Sequence, residues 1–259
     1  MILIAENLNS SIPFVEKALS EWDEATLIDL VKKLDESPAD YLDLNAGTFL
    51  DQEASVLSRL IHLVRQHTQK PLVLDSPDPL VLSSVCRLAG EGLLLNSITL
   101  EPTRFSLMLE LARETSAGLI ALLMHEDRMP QGVDERLQIA DRLLNKLSCA
   151  GIEPERIFLD PMIRPVSVDD QAGAEALKAI CLLRRQFPEA HVVVGISNVS
   201  FGLPARRELN RAFLLQSVAM GLDCAILNPL DEELLALLRA GLVTTGQDPY
   251  CLSFLSHYR

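Results

Sequence analysis

Residues 192–204 read VVVGISNVSFGLP, in which three valines are followed by a glycine and then by a polar cluster around Asn198. A short, wholly apolar run of this kind is typical of a β-strand that is buried on both faces. The polar cluster marks the point at which such a strand passes into a loop. The stretch raises the question of whether other apolar runs in the chain end in the same way.

Seven further runs share this character, and segments of helical period separate them. The predicted strands are 2–5, 41–44, 71–74, 93–95, 119–124, 157–159, 192–194 and 224–227. Alternating strands and helices favour a parallel sheet, and eight such units in 259 residues predict one (β/α)8 TIM barrel domain over residues 1–259. An open doubly wound sheet is the alternative, but no GxGxxG motif follows the first strand.

Long helices are predicted where apolar residues recur at intervals of three and four. In the segment 24–36 the repeat runs from Leu27 to Leu34, and Pro38 follows as a stop. The other predicted helices are 80–88, 133–148, 174–187, 207–220 and 231–240. We take these six segments as the full set of long helices.

Composition narrows the class of protein. The formal net charge is −13 and no block rich in Lys or Arg interrupts the acidic background, so we expect no nucleic-acid partner. The five cysteines lie far apart without a CxxC pair, as in a reduced compartment. MILIAEN is too short for a signal-peptide core and no apolar run reaches bilayer-spanning length, so we expect a soluble cytoplasmic protein without a membrane partner.

Polar residues with carboxyl, amide or hydroxyl groups follow seven of the eight predicted strands. They are Glu6, Asn7, Asp43, Asn45, Asp75, Asn96, Asp160, Ser197, Asn198 and Asn228. Only the fifth strand, which ends near Met124, departs from this pattern. Because the C-terminal ends of barrel strands meet at one mouth, the pattern predicts a ring of hydrogen-bonding groups there. Such a ring suits a neutral ligand rich in N–H donors and carbonyl acceptors.

Other kinds of chemistry find little support in the sequence. The five histidines lack the spacing of metal ligands, so we expect no bound metal. No glycine-rich loop or basic group stands at the late strand ends to hold a phosphate. No GxSxG motif indicates a serine nucleophile.

Several segments together resemble one family. They are AEN (5–7), LDLN (42–45), LVLDS (72–76), LLLNSITLE (93–101), LDP (159–161), GISNVSFGLPARRELNRAFL (195–214) and GLDCAILNPLD (221–231). They resemble the pterin-binding methyltransferases that act on methyltetrahydrofolate and a corrinoid protein, which are related to the folate domain of cobalamin-dependent methionine synthase. The resemblance implies a TIM barrel, a homodimer, and tetrahydrofolate or 5-methyltetrahydrofolate as substrate.

Roles for individual residues follow from this resemblance. It implies that Asp75, Asn96 and Asp160 hold the amino-pyrimidinone edge of the pterin. Gly195 and Ser197 would then shape the pocket beside the ring.

Four further positions take their expected roles from the same comparison. Asn198 would lie nearest to the methyl-bearing N5 and assist the transfer there. Asp43 would support Asp75, and Arg206 would either contact the folate tail or anchor its own loop. Phe201 stands where some relatives carry glutamine, and its role is left open.

The corrinoid would come from outside this chain. No D-x-H-x-x-G corrinoid signature is present, so the resemblance implies a separate corrinoid (cobalamin) protein that docks over the barrel mouth. The direction of transfer, the proton source for N5, and folate against methanopterin stay open. Two alternatives are a dihydropteroate-synthase-like enzyme, which the absence of basic residues at the late strands disfavours, and a non-catalytic folate-binding subunit.

Overall fold

Eight parallel strands form a closed barrel in the computed structural model, which describes residues 1–126 and 128–258. The strands are β1 (Ile2–Asn9), β2 (Tyr41–Asn45), β3 (Leu72–Asp75), β4 (Leu94–Ile98), β5 (Gly118–Leu122), β6 (Ile157–Asp160), β7 (His191–Gly195) and β8 (Cys224–Leu227). Each strand pairs with its neighbours in chain order, and β8 returns to pair with β1. The predicted TIM barrel is therefore confirmed.

Strand bounds differ from the predicted ones most clearly in β1 and β5. β1 continues to Asn9 because Leu8 and Asn9 still pair with Leu44 and Asn45 of β2, after a register irregularity. The prediction ended this strand at residue 5, just before its first polar residue, which was wrong. β5 ends at Leu122 instead of 124.

Helices cover the outside of the barrel. They are α1 (Pro13–Glu21), α2 (Glu24–Glu36), α3 (Glu53–Arg65), α4 (Pro79–Val85), α5 (Pro102–Thr115), α6 (Gly132–Cys149), α7 (Ala172–Gln186), α8 (Arg206–Ala219), α9 (Glu232–Thr244) and α10 (Leu252–Tyr258). Within the described ranges, none of these helices is long and apolar enough to cross a bilayer.

The predicted set of long helices was incomplete, because α1, α3 and α5 were not among them. In α3, Leu57 and Ile61 lie on one buried face at helical spacing, so the sequence does carry a signal for this helix. In α1 and α5 the buried stripe is short, and their proline at the first turn is the clearer signal. α4 ends at Val85, before a 3₁₀ turn, rather than at 88.

Basic side chains fasten the end of the barrel at which the strands begin. Lys70 donates through Nζ to the backbone carbonyls of Ser37, at 2.6 Å, and Ala39, at 2.7 Å. Arg156 donates through Nη2 to the carbonyls of Ala112, at 3.0 Å, and Ala117, at 2.6 Å. These carbonyls lie at or after helix ends, where they lack partners within the helix. Two of the 23 basic residues of the chain, Lys70 and Arg156, therefore bind backbone carbonyls far from the mouth of the barrel.

Candidate active site

Strand periodicity builds the floor of a cavity at the C-terminal end of the barrel. Alternate side chains of a barrel strand point inward. One inward layer plugs the barrel with Ile4, Tyr41, Val73, Leu94, Ile120, Phe158, Val193 and Cys224. Two positions further along each strand stand Glu6, Asp43, Asp75, Asn96, Leu122, Asp160, Gly195 and Ile226, and all eight line the cavity. The floor of this cavity of about 710 Å³ therefore presents four carboxyl groups above an apolar plug.

A row of polar residues crosses the ends of β2, β3 and β4. Asn45 pairs in register with Asp75, and Asp75 pairs with Asn96. The Nδ2 of Asn45 donates a hydrogen bond of 2.8 Å to Oδ2 of Asp75, which fixes the carboxylate. Burial raises the pKa of Asp75 to about 6, against the lowering effect of the hydrogen bond from Asn45. Asp75 and Asn96 thus present acceptors and an amide to the cavity, while Asn45 orients Asp75 from outside it.

Asp160 stands at the end of β6 and is held by the turn that follows. The backbone N–H of Met162 donates to Oδ1 of Asp160 at 2.7 Å, and Met162 adopts a left-handed φ of 58° to do so. Arg136 is buried in α6 and donates from Nε to the carbonyl of Pro161 at 2.6 Å. Burial raises the pKa of Asp160 to about 6, against the effects of the Met162 N–H and the Arg136 charge.

Asp43 and Glu6 complete the acidic floor. Asp43 is only 3% exposed, and its Oδ1 has no hydrogen-bond partner in the described chain. Burial and the nearby charges of Asp75 and Glu6 raise the pKa of Asp43 well above its ordinary value. Burial also raises the pKa of Glu6, although Ser197 donates to its Oε2 at 2.8 Å. A ligand that brings N–H donors into this floor would satisfy acceptors that the chain leaves unmatched.

The loop after β7 presents an amide at the cavity wall. Asn198 is exposed and lines the cavity, and its side chain makes no hydrogen bond within residues 1–126 and 128–258. Its Nδ2 lies against Gly195, so that a Cβ on Gly195 would come within 2.9 Å of it. The close approach of this amide to the backbone therefore depends on glycine at 195.

Arg206 fastens that loop from the first turn of α8. Its Nη2 donates to the carbonyl of Ser197 at 2.8 Å, and its Nε donates to Oγ of Ser200 at 3.1 Å. The ring of the exposed Phe201 lies 5.8 Å from the Arg206 guanidinium. Of the two roles expected for Arg206, the structure thus shows the anchoring of its own loop.

Comparison with known proteins identifies the family. The family described as "Pterin binding enzyme" matches residues 8–228. The chain belongs to the pterin-binding enzymes. The resemblance found in the sequence is thereby confirmed, and the acceptor-rich floor is the part of the barrel that a pterin edge, with its amino and ring N–H groups, would fit.

Individual relatives of this pterin-binding enzyme include methyltransferases and synthases. It is 30% identical to the methylcorrinoid:tetrahydrofolate methyltransferase of Eubacterium limosum over 261 residues, which cover 100% of this chain and 96% of that protein. It is 27% identical to the methionine synthase of Mycobacterium tuberculosis over 86% of this chain, but that match spans only 20% of the methionine synthase.

Solved structures of dihydropteroate synthases share the fold. The enzyme of Xanthomonas albilineans with 4-aminobenzoic acid superposes with a TM-score of 0.68 at 16% identity, covering 96% of this chain and 93% of that one. A dihydropteroate synthase of Yersinia pestis gives a TM-score of 0.66 at 14% identity, covering 95% and 94%. At such identities the likeness concerns the barrel alone.

Two members of the predicted polar ring lie outside the cavity of the pterin-binding enzyme. Asn7 is not among the lining residues and donates from Nδ2 to Oδ1 of Asn228 at 2.9 Å. Asn45 donates from Nδ2 to Oδ2 of Asp75, and its Oδ1 accepts from the backbone N–H of Gly47 at 2.9 Å. Asn7 directly follows Glu6, at the register irregularity of β1. Asn45 lies two positions beyond Asp43 and shares the parity of the floor, but its amide is engaged by Asp75 and by the loop that follows β2.

Some residues that line the cavity were not proposed from the sequence. Arg207 and Asn210 belong to the first turns of α8, and Asn9 and Met162 follow the floor on β1 and after β6. A helix that follows a barrel strand begins at the mouth, so its first turn is a place to look for such residues. Among the described residues, no cluster of three or more His, Cys, Asp or Glu side chains is arranged to hold a metal ion.

Proposed function

We propose that this pterin-binding enzyme transfers a methyl group from a methylcorrinoid, carried on a separate protein, to N5 of tetrahydrofolate. The observation that carries the proposal is the unpaired amide of Asn198 at the wall of a cavity whose floor is rich in acceptors. The name of the full-length relative from Eubacterium limosum supports both the reaction and its direction. By microscopic reversibility the same groups serve transfer in the opposite direction.

Three floor residues bind the pterin in this proposal. The carboxylates of Asp75 and Asp160 accept hydrogen bonds from the amino and ring N–H groups, and Asn96 both donates and accepts. Asn45 and the Met162 N–H keep the two carboxylates oriented. The buried Asp43 acts behind Asp75, and burial together with the charges of Asp75 and Glu6 raises its pKa, which disfavours its charged form.

Asn198 acts at the reacting nitrogen. The methyl carbon leaves cobalt and bonds to N5, the Co–C electron pair stays on cobalt as Co(I), and N5 releases its proton. While N5 becomes positively charged, the Asn198 carbonyl oxygen accepts a hydrogen bond from N5–H, which stabilises the transition state more than the ground state. An amide is neither a useful acid nor a useful base, so the proton passes to water or to a neighbouring carboxylate.

The partners follow from the same proposal. The corrinoid protein docks over the barrel mouth, because that is where the cavity opens. The enzyme works as a homodimer, as the resemblance implies, in the cytoplasm. Gly195 and Ser197 shape the pocket beside the ring, and Ser197 is held there by Glu6.

A spectroscopic assay tests this function directly. Purified protein mixed anaerobically with tetrahydrofolate and methylcob(III)alamin is expected to form cob(I)alamin, followed by absorbance, and to bind tetrahydrofolate in calorimetry. Binding without turnover, even with a methylated corrinoid protein, would favour a non-catalytic folate-binding subunit. Absence of pterin binding would contradict the proposal altogether.

The contact between Gly195 and Asn198 gives a second prediction. Gly195→Ala places a methyl group 2.9 Å from the amide nitrogen of Asn198, which must then move. We expect the methyl-transfer rate to fall roughly tenfold to a hundredfold, because a displacement of about 1 Å has effects of that size. The measurement is single-turnover formation of cob(I)alamin.

A double-mutant cycle shows whether the loss acts through the amide. In an Asn198→Ala background the Gly195→Ala change should have little further effect, since the group that it displaces is already gone. Gly173→Ala, in α7, is the matched control, because its nearest contact would be an ordinary 3.4 Å to Val166. Additive losses at 195 and 198 would show that Gly195 acts independently.

A further inference from the structure

Charge differs between two sides of the cavity rim. On the α8 side the cavity is lined by Arg206 and Arg207, and the carboxylate of Asp231, which also lines it, is paired with Arg211. On the opposite side a second cavity of about 740 Å³ shares Asp75, Asn96 and Leu122 with the first. Its lining includes three acidic residues, Asp78, Glu101 and Glu126. An anionic group would be repelled on that side and attracted on the side of α8.

Arg104, the arginine of the second cavity, is already engaged. It donates from Nε to the carbonyl of Ser97 at 2.8 Å and from Nη2 to the carbonyl of Ser76 at 3.0 Å. Its guanidinium thus serves the backbone of the loops after β3 and β4. Arg104 therefore has no role in attracting an anion to the acidic side of the rim, because its guanidinium is bound to these carbonyls.

The guanidinium donors of Arg207 are not engaged within the described residues, unlike those of Arg104 and Arg206. Arg207 is exposed, and in the described chain its guanidinium makes no hydrogen bond and no ion pair. Asp231, a carboxylate within its electrostatic reach, is bound by Arg211, whose Nη2 donates to Asp231 Oδ1 at 2.7 Å. Arg207 therefore offers a guanidinium with unused donors at the cavity rim.

Asn210 lies three residues after Arg207, on the same face of α8, and also lines the cavity. Its Oδ1 is buried and has no hydrogen-bond partner within the described residues. A buried, unmatched carbonyl oxygen is unfavourable unless a ligand supplies an N–H group. Arg207 and Asn210 thus place a cationic donor and a waiting acceptor side by side.

We propose that Arg207 and Asn210 form the subsite for the p-aminobenzoylglutamate tail of the folate. Arg207 pairs with a carboxylate of the glutamate, and the Asn210 carbonyl accepts a hydrogen bond from an N–H of the tail. The tail leaves the cavity over α8, away from the acidic second cavity. In a chain of net charge −13, a local cation is what makes an anionic tail acceptable at the mouth. This inference rests on the proposed function, and it names two residues that recognise the tail.

Binding measurements with a graded ligand series test the subsite. Calorimetry gives the Kd of 5-methyltetrahydrofolate, of its triglutamate, and of the tail-free 5,6-dimethyltetrahydropterin for wild type and Arg207→Gln. We expect Arg207→Gln to raise the Kd of the monoglutamate roughly three- to fivefold, as for a partly exposed ion pair, and that of the triglutamate by more. The Kd of the tail-free pterin should not change. High salt should weaken wild-type binding of the triglutamate towards that of the variant.

Matched variants separate the subsite from general effects of charge. Arg185→Gln removes the same charge from an exposed position at the end of α7 and should leave all three Kd values unchanged. Asn210→Ala should weaken only the two ligands with tails, with circular dichroism confirming that the variant folds.

Three outcomes would overturn the subsite. They are an equal loss for the tail-free pterin, an unchanged Kd for the triglutamate in Arg207→Gln, and displacement of the tail by inorganic pyrophosphate at matching concentration. If wild type binds none of the three pterins, it is the proposed function that fails.

Discussion

Replacing Asp160 by asparagine is expected to remove folate binding and, at neutral pH, to make the unliganded protein more stable. Asparagine keeps an oxygen for the Met162 N–H but loses the charged acceptor that the pterin edge requires. A site built to hydrogen-bond a group discriminates strongly when one partner is missing, so we expect affinity to fall roughly a hundredfold or more. Calorimetry with tetrahydrofolate measures this loss.

The gain in stability follows from the direction of the pKa shift. The pKa of Asp160 is about 6 in the folded protein against 3.8 ordinarily, so folding favours its neutral form. Its stabilising contribution is complete below pH 3.8 and disappears as pH rises through about 6. At pH 7.5 the buried charge costs on the order of 2–3 kcal/mol, which asparagine avoids.

Thermal unfolding of wild type and Asp160→Asn at two pH values checks this expectation. The variant should unfold several degrees higher at pH 7.5, since about 1 kcal/mol corresponds to roughly 2–4 °C in a domain of this size. The difference should shrink at pH 4.5. Asp51→Asn, at an exposed site, is the control and should change neither Tm nor binding. A variant that is less stable at pH 7.5, or that binds folate normally, would contradict the role given to Asp160.

Asn198→Ala is expected to slow methyl transfer by about 10²–10³ while leaving the Kd for tetrahydrofolate within a few-fold of wild type. Its amide contacts N5 in the proposal and strengthens that contact as charge develops, and the loss of one preorganised hydrogen-bonding group has effects of this size. Because the side chain of Asn198 makes no hydrogen bond inside the described chain, its truncation should not disturb the fold. Stopped-flow formation of cob(I)alamin in a single turnover measures the chemical step.

The pattern of rate and affinity decides what Asn198 does. A Kd that rises as much as the rate falls would make it a binding residue without a special role in the transition state. An unchanged rate would remove it from the mechanism. Asn145→Ala, on the exposed face of α6, is a suitable control for asparagine removal in general.

Much of the candidate site could be predicted from the sequence. Side chains alternate between the two faces of a strand, and this alternation determines which of them meet inside the barrel. Asp43, Asp75, Asn96, Asp160 and Gly195 were all proposed from the sequence, and all line one cavity. The step that failed was the use of the first polar residue after each apolar run. That rule selected Asn7, which lies one residue beyond Glu6, and a shift of one residue moves a side chain to the other face of a strand. It also selected Asn45, which has the parity of the floor but whose amide is engaged by Asp75 and the backbone N–H of Gly47.

Contacts between residues that are far apart in the chain could not be predicted from a single sequence. Glu6 and Ser197 are 191 positions apart, and only the closure of the barrel brings their side chains within 2.8 Å. Whether Arg206 or Arg207 has free donors depends on which carbonyls each one reaches, and the adjacent arginines differ in this respect. The raised pKa values of Asp75 and Asp160 likewise reflect burial that the fold creates.

Closure of the barrel also limits how the carrier protein of the proposed function can approach. Each of the eight strands in the described chain pairs on both sides, so none of them offers a sheet edge to which another protein could add a strand. A carrier must therefore rest on loops and helix ends, which bury side chains and leave the backbone pairing of both proteins untouched. Interfaces of that kind can be small and short-lived. A shuttle that has to arrive loaded, unload and depart in every cycle needs that kind of interface.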